Sequence, residues 1–586
     1  MRQWMVAAKK ADFYAIAEKF HVDPVVARII RNREVIGEKN IRIYLGGNLS
    51  DLSDPHQMKD MDRLVEILAQ KIRKQVHIRI IGDYDVDGVT SSHLFLTALR
   101  RVGAKVDVVI PHRIQDGYGL SLHLLQQAKE DGVDTILTCD NGIAAIDEIA
   151  WAKAQKMTVL VTDHHAVPFE EHEGRRTEKK SLADAVVNPH QQDCGYPYKE
   201  LCGAGVAWNV IRVLYENYDM DKREAEDLLD FVAMATVCDV MSLTGENRIL
   251  VKEGLKRIRH TKNIGLQALM QACNVQPENI SAYHFGYVLG PCVNATGRLD
   301  TARHALRLFE TGQETEAEEI ARDLVDLNQE RKELTLQGVE MAKKLCEEGG
   351  YENDPVLVLF LPDVHESIAG LIAGRIREMY NRPVFVLTRG EEGVKGSGRS
   401  TENYSMYENM CGCVELFTKF GGHPMAAGLS LPEENVEKFR RKINENCPLT
   451  VEEVCPDIHI DMAMPVGYAS TELVHQFALL EPFGKDNPSP LFADRNLSIS
   501  RMWVIGKNRN VLRMSVLSEY GQPVPVIFFG DVETLFAYFT EKFGQKEVEN
   551  ALHGRKNRIL FSMVYTAKID FYQGNENLQL EMKYYR

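Results

Sequence analysis

Short apolar runs alternate with helix-length segments between about residues 77 and 190. The runs are HIRIIGD (77–83), VDVVIP (106–111), DTILTCD (134–140), TVLVTD (158–163) and DAVVNP (184–189). Strands that are buried on both faces read as nearly continuous apolar runs, and their alternation with helices is typical of a doubly wound parallel sheet. The pattern therefore predicts an α/β domain that binds its ligands at the C-terminal ends of the strands.

Further regions follow along the chain. Residues 204–260 have helical apolar spacing, and the charged amphipathic stretch at 313–347 predicts one long helix, or two helices, bridging domains. VLVLF (356–360) and PVFVL (383–387) begin a second strand–helix region. After about residue 450, five β-rich segments indicate a small antiparallel barrel, with the oligonucleotide/oligosaccharide-binding (OB) fold as the leading hypothesis.

Composition narrows the class of protein. The length of 586 residues predicts about four domains at about 150 residues each. Hydrophobic residues make up 44% and charged residues 26%, which excludes a disordered chain, a collagen and a small disulfide scaffold. The 69 basic and 84 acidic residues give a net charge of −15, so any nucleic acid must be held in a local channel.

The 11 cysteines are scattered, and the close pair Cys411 and Cys413 lacks the second pair of a zinc site. The first residues do not read as a secretory signal, and no apolar run is long enough to span a membrane. We therefore expect reduced thiols and a cytoplasmic location.

Acidic and histidine side chains stand directly after three predicted strands, and one more acid ends a helical run. They are Asp83, Asp85 and Asp87 after the first strand, Asp140 after the next, Asp163, His164 and His165 after a third, and Asp239 after the helix. One such Asp alone is usually a helix cap or a turn residue. Because the C-terminal ends of parallel strands meet at one edge, we expect the whole set to lie together.

Carboxylates gathered in this way repel one another and are costly to bury unless cations lie among them. Oxygen-rich sites with one or two imidazoles suit Mn²⁺ or Mg²⁺ better than structural zinc. A carboxylate shared by two ions would hold them about 3.5–4 Å apart, as in two-metal phosphoryl chemistry. The sequence therefore predicts a site for two divalent ions.

At these residues the sequence resembles the DHH phosphoesterases, through IGDYDVDG (81–88) and Asp163-His164-His165. Further segments resemble the RecJ branch of single-strand-specific 5′→3′ DNA exonucleases. They are LSDPHQMKDMDRLVE (52–66), PHRIQDGYGL (111–120), CDNGI (139–143), LCGAGVAW (201–208), GPCVNATGRLD (290–300), VHESIAGLIAGRI (364–376), KGSGRS (395–400), FGGHPMAAG (420–428) and LEPFGKDNPSPLF (480–492). Asn141, Thr296 and Lys485-Asp486 depart from the usual pattern, but none of them is a proposed metal ligand.

The resemblance implies an α/β architecture in which a parallel-sheet DHH domain and an α/β DHH-associated domain are joined by a long helix and followed by an OB-like β-barrel. The implied boundaries are an N-terminal segment at 1–55, the DHH catalytic domain at 56–310, the connecting helix at 311–350, the DHH-associated domain at 351–450 and the DNA-binding barrel at 451–586.

The resemblance also implies roles for individual residues. The implied metal ligands are Asp83, Asp85, Asp87, Asp140, His164 and Asp239, with Asp83 either a ligand or a supporting acid. The implied catalytic residues are Asp83, Asp163, which would orient a histidine, and His165, Arg298 and His423, which would contact the phosphate. The implied substrate-binding residues are Arg113, Asn294, Ser397 and Arg399. Without the resemblance, Arg298 could pair with Asp300, and KGSGRS and His423 would read as loop residues.

Cations and aromatic side chains alternate in the barrel segments. The cations are Arg501, Lys507, Arg509 and Arg513, next to Trp503, Val504 and Met514, and the candidate stacking rings are Phe528, Phe529 and Tyr565. Charge with aromatic rings suits single-strand binding, although period 2 favours a core position for Phe528 and Tyr565.

These features predict a single-stranded-DNA-specific 5′→3′ exonuclease that releases 5′-mononucleotides with two Mn²⁺ or Mg²⁺ ions, in DNA repair and recombination. Its predicted partner is single-stranded DNA, with a helicase and a single-strand-binding protein as further candidates, and a monomer is the default. The alternatives are a DHH-type phosphodiesterase on short oligonucleotides or cyclic dinucleotides, and a non-catalytic single-strand-binding scaffold.

Overall fold

The computed structural model describes residues 3–113, 116–117, 119–172, 175–390, 393–506, 510–572 and 574–586. The described chain forms two compact units, one of residues 49–456 and the other of residues 3–48 with 457–586. The first elements, which belong to the second unit, are β1 (Trp4–Val6), α1 (Phe13–Phe20), α2 (Pro24–Asn32) and α3 (Glu38–Gly46).

A five-stranded parallel sheet lies at the centre of the first unit, in the order β3-β2-β4-β5-β8. Its elements are α4 (Met61–Arg73), β2 (His77–Ile81), α5 (Val86–Arg101), β3 (Lys105–Val109), α6 (Leu122–Glu130), β4 (Thr135–Cys139), α7 (Ile146–Ala154), β5 (Thr158–Thr162), the hairpin of β6 (Phe169–His172) and β7 (Arg175–Glu178), and β8 (Ala185–Val187). Ile78, Ile80 and Ile81 of β2 are fully buried, which is why this strand reads as a mostly apolar run. The predicted parallel sheet is confirmed.

Helices follow the sheet. They are α8 (Gly203–Asn217), α9 (Lys222–Glu226), α10 (Leu229–Cys238), α11 (Gly245–Ile258), α12 (Ile264–Ala272), α13 (Ala282–His284), a π-helical turn (Phe285–Leu289), α14 (Gly290–Leu299), α15 (Ala302–Glu310) and α16 (Glu314–Glu348). The charged stretch forms one helix, α16, of 35 residues. Ile320 and Leu324 near its start pack into the core around the parallel sheet, whereas Val339 and Ala342 pack into the core of the next region, so α16 joins the two.

The next region has a second five-stranded sheet, in the order β12-β13-β11-β10-β9. Its elements are β9 (Leu357–Phe360), α17 (Glu366–Tyr380), β10 (Val384–Gly390), β11 (Gly393–Arg399), α18 (Met406–Cys411), β12 (Lys419–His423), β13 (Ala426–Leu431) and α19 (Val436–Glu445). Only the β9–β10 pairing is parallel among the described strands of this sheet, since the rest join neighbouring strands antiparallel.

The second unit is built on a barrel in the order β15-β16-β17-β18-β20-β19, which the pairing of β16 with β19 closes. Its elements are β14 (Ile458–Ile460), β15 (Met462–Ala463), α20 (Thr471–Gln476), β16 (Phe492–Ile505), β17 (Val511–Leu517), β18 (Pro523–Phe529), α21 (Val532–Phe543), α22 (Gln545–Leu552), β19 (Leu560–Tyr572) and β20 (Asn575–Tyr585). The expectation of a wholly antiparallel barrel is wrong, because β18 and β20 pair in parallel, as do β15 and β16.

The N-terminal helices share the core of the barrel unit, where Val26, Ile29 and Ile30 are buried in the same cluster as Phe528 and Tyr565. The preferred core position of these two aromatic residues is confirmed. Sequence patterns did not anticipate the association of the N-terminal helices with the barrel, and the five domain boundaries given above stay predictions. Within the described ranges, the structure contains no helix that combines the length and apolarity needed to cross a lipid bilayer.

Candidate functional site

The loop between β2 and α5 presents three acids at the edge of the parallel sheet. Asp85 is the N-cap of α5, where one carboxylate oxygen accepts a hydrogen bond from Gly88 N at 3.0 Å. Asp87, in the first turn, is buried and accepts from Gly203 N at 2.6 Å and from Ala204 N at 2.7 Å. These two amides belong to the N-terminus of α8, whose dipole favours a negative charge. The capping bond of Asp85 uses only one of its carboxylate oxygens, so capping is compatible with a further role for this residue.

His164 lies at the centre of the acidic cluster. Its Nε2 is 3.0 Å from Asp140 Oδ1, 3.6 Å from Asp239 Oδ2 and 3.7 Å from Asp87 Oδ2. Three overlapping groups have ligand atoms within 4.8 Å of one another. They are Asp87, His164 and Asp239; Asp83, Asp85 and Asp140; and Asp140, His164 and His165. The structure therefore brings all six predicted metal ligands together, and Asp140 belongs to two of the groups.

The electrostatics of this cluster fit a cation site. Burial, together with the charge of neighbouring carboxylates, raises the pKa of Asp83, Asp85 and Asp140. Asp83 Oδ1 is buried and makes no hydrogen bond to any described residue. Carboxylate oxygens with an imidazole are the ligands that Mn²⁺ and Mg²⁺ accept, so the donor set and this unsatisfied oxygen fit divalent ions.

Asp163 plays a different part, because it accepts four hydrogen bonds from protein donors. Three come from backbone N–H groups, those of Ile143 at 2.8 Å, His164 at 2.7 Å and His165 at 3.1 Å, and the fourth comes from His165 Nδ1 at 2.8 Å. Burial raises the pKa of Asp163, but the hydrogen bond and charge of His165 outweigh it, so the pKa is lowered. Asp163 is thus an ionised acid that fixes the histidine ring.

His165 carries the matching positive charge. Burial lowers its pKa, but the hydrogen bond and charge of Asp163, with the charges of Asp239 and Asp87, raise it to about 9. Its side chain is 40% exposed. A cationic imidazole at the mouth of the cluster can contact a phosphate group.

A cleft of about 450 Å³ separates this edge from the second sheet. Tyr84 and Arg113 line it from the first region, and the Arg113 guanidinium lies 4.9 Å from the Tyr84 ring centroid. Ser397, Lys395 and Lys419 line it from the second region. The structure therefore places Arg113 and Ser397 across one cleft, as predicted from the sequence.

Arg298 and Asn294, on α14, make defined contacts at this site. Arg298 Nη1 donates to Ser367 O at 2.6 Å, and Asn294 Oδ1 accepts from Val86 N at 3.1 Å. Across the described residues, no carboxylate forms an ion pair with Arg298, so the alternative of a structural pair with Asp300 finds no support.

Several arginine guanidinium groups lie close enough to repel one another at this site. Burial and the positive charges of neighbouring guanidinium groups lower the pKa of Arg298 to about 10. The neighbouring groups are Arg113, Arg331 and Arg399. Mutual repulsion of this kind is relieved when a phosphate binds. Sequence reasoning missed Arg331, which reaches the site from α16 and carries no local motif.

Two predicted residues lie at the same end of the second sheet. Arg399 and His423 both stand opposite Ala426 of β13, from its two neighbouring strands, which places them at one end of the sheet. Arg399 Nη1 donates to Gly398 O at 2.7 Å. His423 is exposed and does not belong to the groups of candidate ligands found among the described residues.

The barrel carries a surface with both rings and cations. Trp503, 37% exposed, stands opposite Arg513 in the β16–β17 register, and the guanidinium of Arg501 lies 5.6 Å from its ring. Phe529 is 56% exposed, whereas Met514 is in the core. Lys507 and Arg509 lie outside the described residues.

Comparisons with known proteins agree with this architecture. Three family models match: the DHH family, N-terminal domain at residues 77–236, the DHHA1 domain at 353–447 and the RecJ OB domain at 460–584. The chain is 32% identical over 582 residues to the single-stranded-DNA-specific exonuclease RecJ of Haemophilus influenzae, covering 96% of each chain. It is 33% identical over 512 residues to the Bacillus subtilis RecJ, covering 87% of this chain and 63% of that relative.

Solved structures are similar as well. The crystal structure of Thermus thermophilus RecJ with Mn²⁺ superposes with a TM-score of 0.81 at 25% identity, covering 100% of this chain and 79% of the other. A second exonuclease RecJ structure, bound to manganese, is 32% identical with a TM-score of 0.57, covering 66% of this chain and 94% of the other. Together with the matched domains, these likenesses show that the chain belongs to the RecJ family of the DHH phosphoesterases.

Proposed function

We propose that this chain is a metal-dependent exonuclease that degrades single-stranded DNA from the 5′ end, releases 5′-mononucleotides and acts in DNA repair and recombination. The observation that carries the proposal is the buried cluster of acids around His164, which lies next to a cleft lined by cations. The relatives described as single-stranded-DNA-specific exonucleases support the choice of substrate.

The residues that would hold the metal are Asp83, Asp85, Asp87, Asp140, His164 and Asp239, and both Asp140 and His164 belong to two of the three ligand groups. When bound, two Mn²⁺ or Mg²⁺ ions would lower the pKa of a water molecule and neutralise charge on the phosphate. The backbone amides of Gly203 and Ala204 hold Asp87 in place for this set.

The protein's own cations bind and orient the strand. Arg113, Ser397 and Arg399 would hold the terminal 5′-phosphate, and a pocket for that group sets the polarity of digestion. His165 would meet the scissile phosphate with its ring fixed by Asp163, and Arg298, on α14, would contact the same phosphate. His423 stays a predicted phosphate contact. Asn294 holds the loop of Asp85 through Val86 N.

In the barrel, Arg501, Trp503 and Arg513 would bind the strand through charge and stacking. We further propose a monomer in the cytoplasm, with a helicase and a single-strand-binding protein as candidate partners. The rival small-substrate phosphodiesterase has no use for a barrel of this kind, and the rival scaffold has no use for a complete acidic cluster.

Digestion of labelled oligonucleotides tests the proposal. In Mn²⁺, a 5′-phosphorylated single strand should release mononucleotides, whereas duplex and 5′-blocked strands should not. Asp140→Asn should abolish release, and Asp147→Asn, a matched change at an exposed acid, should not. Ser397→Ala should slow digestion of 5′-phosphorylated strands more than that of 5′-hydroxyl strands. Cleavage of dinucleotides but not of long strands would favour the phosphodiesterase, and DNA binding without release would favour the scaffold.

A further inference from the structure

Two tyrosines outside the cluster present their rings to solvent. Tyr283 is 62% exposed and Tyr287 is 70% exposed. Their rings stack on each other, with centroids 5.1 Å apart and planes 25° apart. A pair of stacked, exposed rings offers a flat face to a third ring.

Tyr283 lies in α13, and Tyr287 lies in the π-helical turn, Phe285–Leu289, that joins α13 to α14. Such turns are rare and are frequent at functional sites. Its inner face is fixed, because Phe285 and Leu289 are fully buried and Phe285 O accepts from Cys238 Sγ at 3.3 Å. Cys238 immediately precedes Asp239, so the turn packs against the end of the helix that delivers a candidate metal ligand.

The tyrosines share a helical stripe with residues already placed at the site. Tyr283, Tyr287, Asn294 and Arg298 are spaced by four, seven and four residues, which puts them on one side of the α13–α14 segment. Asn294 is bonded to Val86 N beside Asp85, and at 1.5 Å per residue the 11 residues from Arg298 to Tyr287 span about 16 Å. The stripe therefore runs from the cleft, past the acidic cluster, to the tyrosines.

We infer that Tyr283 and Tyr287 form a stacking platform for bases of the DNA strand on the 3′ side of the scissile phosphate. The direction rests on the proposed function: Arg298 contacts Ser367 on the side of the proposed 5′-phosphate pocket, and the tyrosines lie at the other end of the stripe. Every base has a π face, so such a platform binds without sequence preference. Continuity with the substrate-contact residues favours DNA over a protein partner.

Strand binding without turnover tests the platform. The full chain is titrated in EDTA with a 5′-phosphorylated oligonucleotide labelled at its 3′ end, and anisotropy is read. Tyr283→Ala/Tyr287→Ala should bind about 5- to 10-fold more weakly, within the range measured for one stacked base. The matched control Tyr283→Phe/Tyr287→Phe keeps both rings and should bind like the parent.

Abasic oligonucleotides make the test specific. A pair of abasic sites is placed at successive positions counted from the 5′ end of the oligonucleotide. The parent should bind more weakly when the pair occupies one particular position. The affinity of the alanine variant should not change when the pair occupies that position. An alanine variant with the parent's affinity and the parent's abasic profile would overturn the inference. So would equal losses in both double variants, or a change in oligomeric state alone. Failure of the parent to release nucleotides in Mn²⁺ would refute the proposed function, while the binding arm would still decide the platform.

Discussion

Gly203 provides the sharpest test of how the acidic cluster is held. Its N–H donates to Asp87 Oδ2 at 2.6 Å. A Cβ atom added at this position would lie 2.6 Å from Asp140 Cβ and 3.0 Å from Asp140 Cα. One methyl group would therefore press on the backbone of one candidate ligand while displacing the amide that positions another. We predict that Gly203→Ala impairs metal binding although it removes no ligand.

The magnitude follows from the crowding. Carbon atoms pack best at about 3.5–4.0 Å, so the added Cβ must move away from Asp140 by about 1 Å. Overpacking of this kind costs about 1–3 kcal/mol of stability. Loss of contacts that orient metal ligands typically costs about 10- to 100-fold in metal affinity or activity. We expect losses of that size in Mn²⁺ affinity and in the rate of nucleotide release.

Gly205→Ala is the matched control, because its Cβ would meet only Leu201 side-chain carbons, at 3.4 Å. Inside a helix this change favours folding by about 0.5–1 kcal/mol. Calorimetric titration with Mn²⁺ and single-strand digestion should separate the two variants, and thermal melts should show both folded. If Gly203→Ala binds Mn²⁺ and digests DNA as Gly205→Ala does, the role assigned to the α8 amides is wrong.

Three further predictions follow. Buried Arg79 donates to the half-exposed carboxylates of Asp107 and Asp131, so Arg79→Met should cost about 2 kcal/mol in urea unfolding, the size typical of charged hydrogen bonds; an unchanged midpoint would contradict this. Burial lowers the pKa of His93 to about 3, whereas a histidine in the unfolded chain binds a proton below about pH 6.5. The free energy of unfolding should therefore fall as the pH is lowered below about 6.5, by up to about 1.4 kcal/mol per pH unit. His93→Phe should flatten that slope. Burial and neighbouring carboxylates raise the pKa of Asp140, so its charge destabilises the metal-free fold. In EDTA, Asp140→Asn should melt about 2 °C above the parent, and Mn²⁺ should no longer stabilise the variant. A lower melting temperature in EDTA would contradict this prediction.

The sequence was sufficient to predict the parallel sheet and the assembly of its acids. Buried strands such as Thr158–Thr162 carry consecutive apolar residues, and the ends of parallel strands must meet at one edge. These two rules place Asp85, Asp140 and His164 together although about 80 residues separate the first from the last. The position of Asp239 at the end of an apolar helix was only weak evidence for a metal ligand, and the resemblance to the DHH phosphoesterases strengthened it.

What sequence patterns missed depends on backbone atoms and distant pairing. The amides of Gly203 and Ala204 reach Asp87 across more than a hundred residues, and a peptide N–H has no sequence signature beyond the small side chains around it. The parallel pairing of β18 with β20 depends on how the chain returns after the helical insert. Likewise, the apolar face of the helix at Pro24–Asn32 predicts that this helix packs against another element, but it does not indicate which element.

Counting hydrogen bonds separates the roles of the buried acids, which residue type alone does not. Asp163 accepts four hydrogen bonds from protein donors, three at Oδ1 and one at Oδ2, so both oxygens have donors and the residue is suited to hold His165. Asp83 is equally buried, yet its Oδ1 meets no donor among the described residues, and its pKa is raised instead. A buried carboxylate oxygen without a donor is costly unless a cation takes that place. Asp163 and Asp83 are both buried, but only Asp83 has an oxygen without a donor. This difference favours Asp83 as a direct metal ligand over a supporting acid, whereas Asp163 is a positioning group.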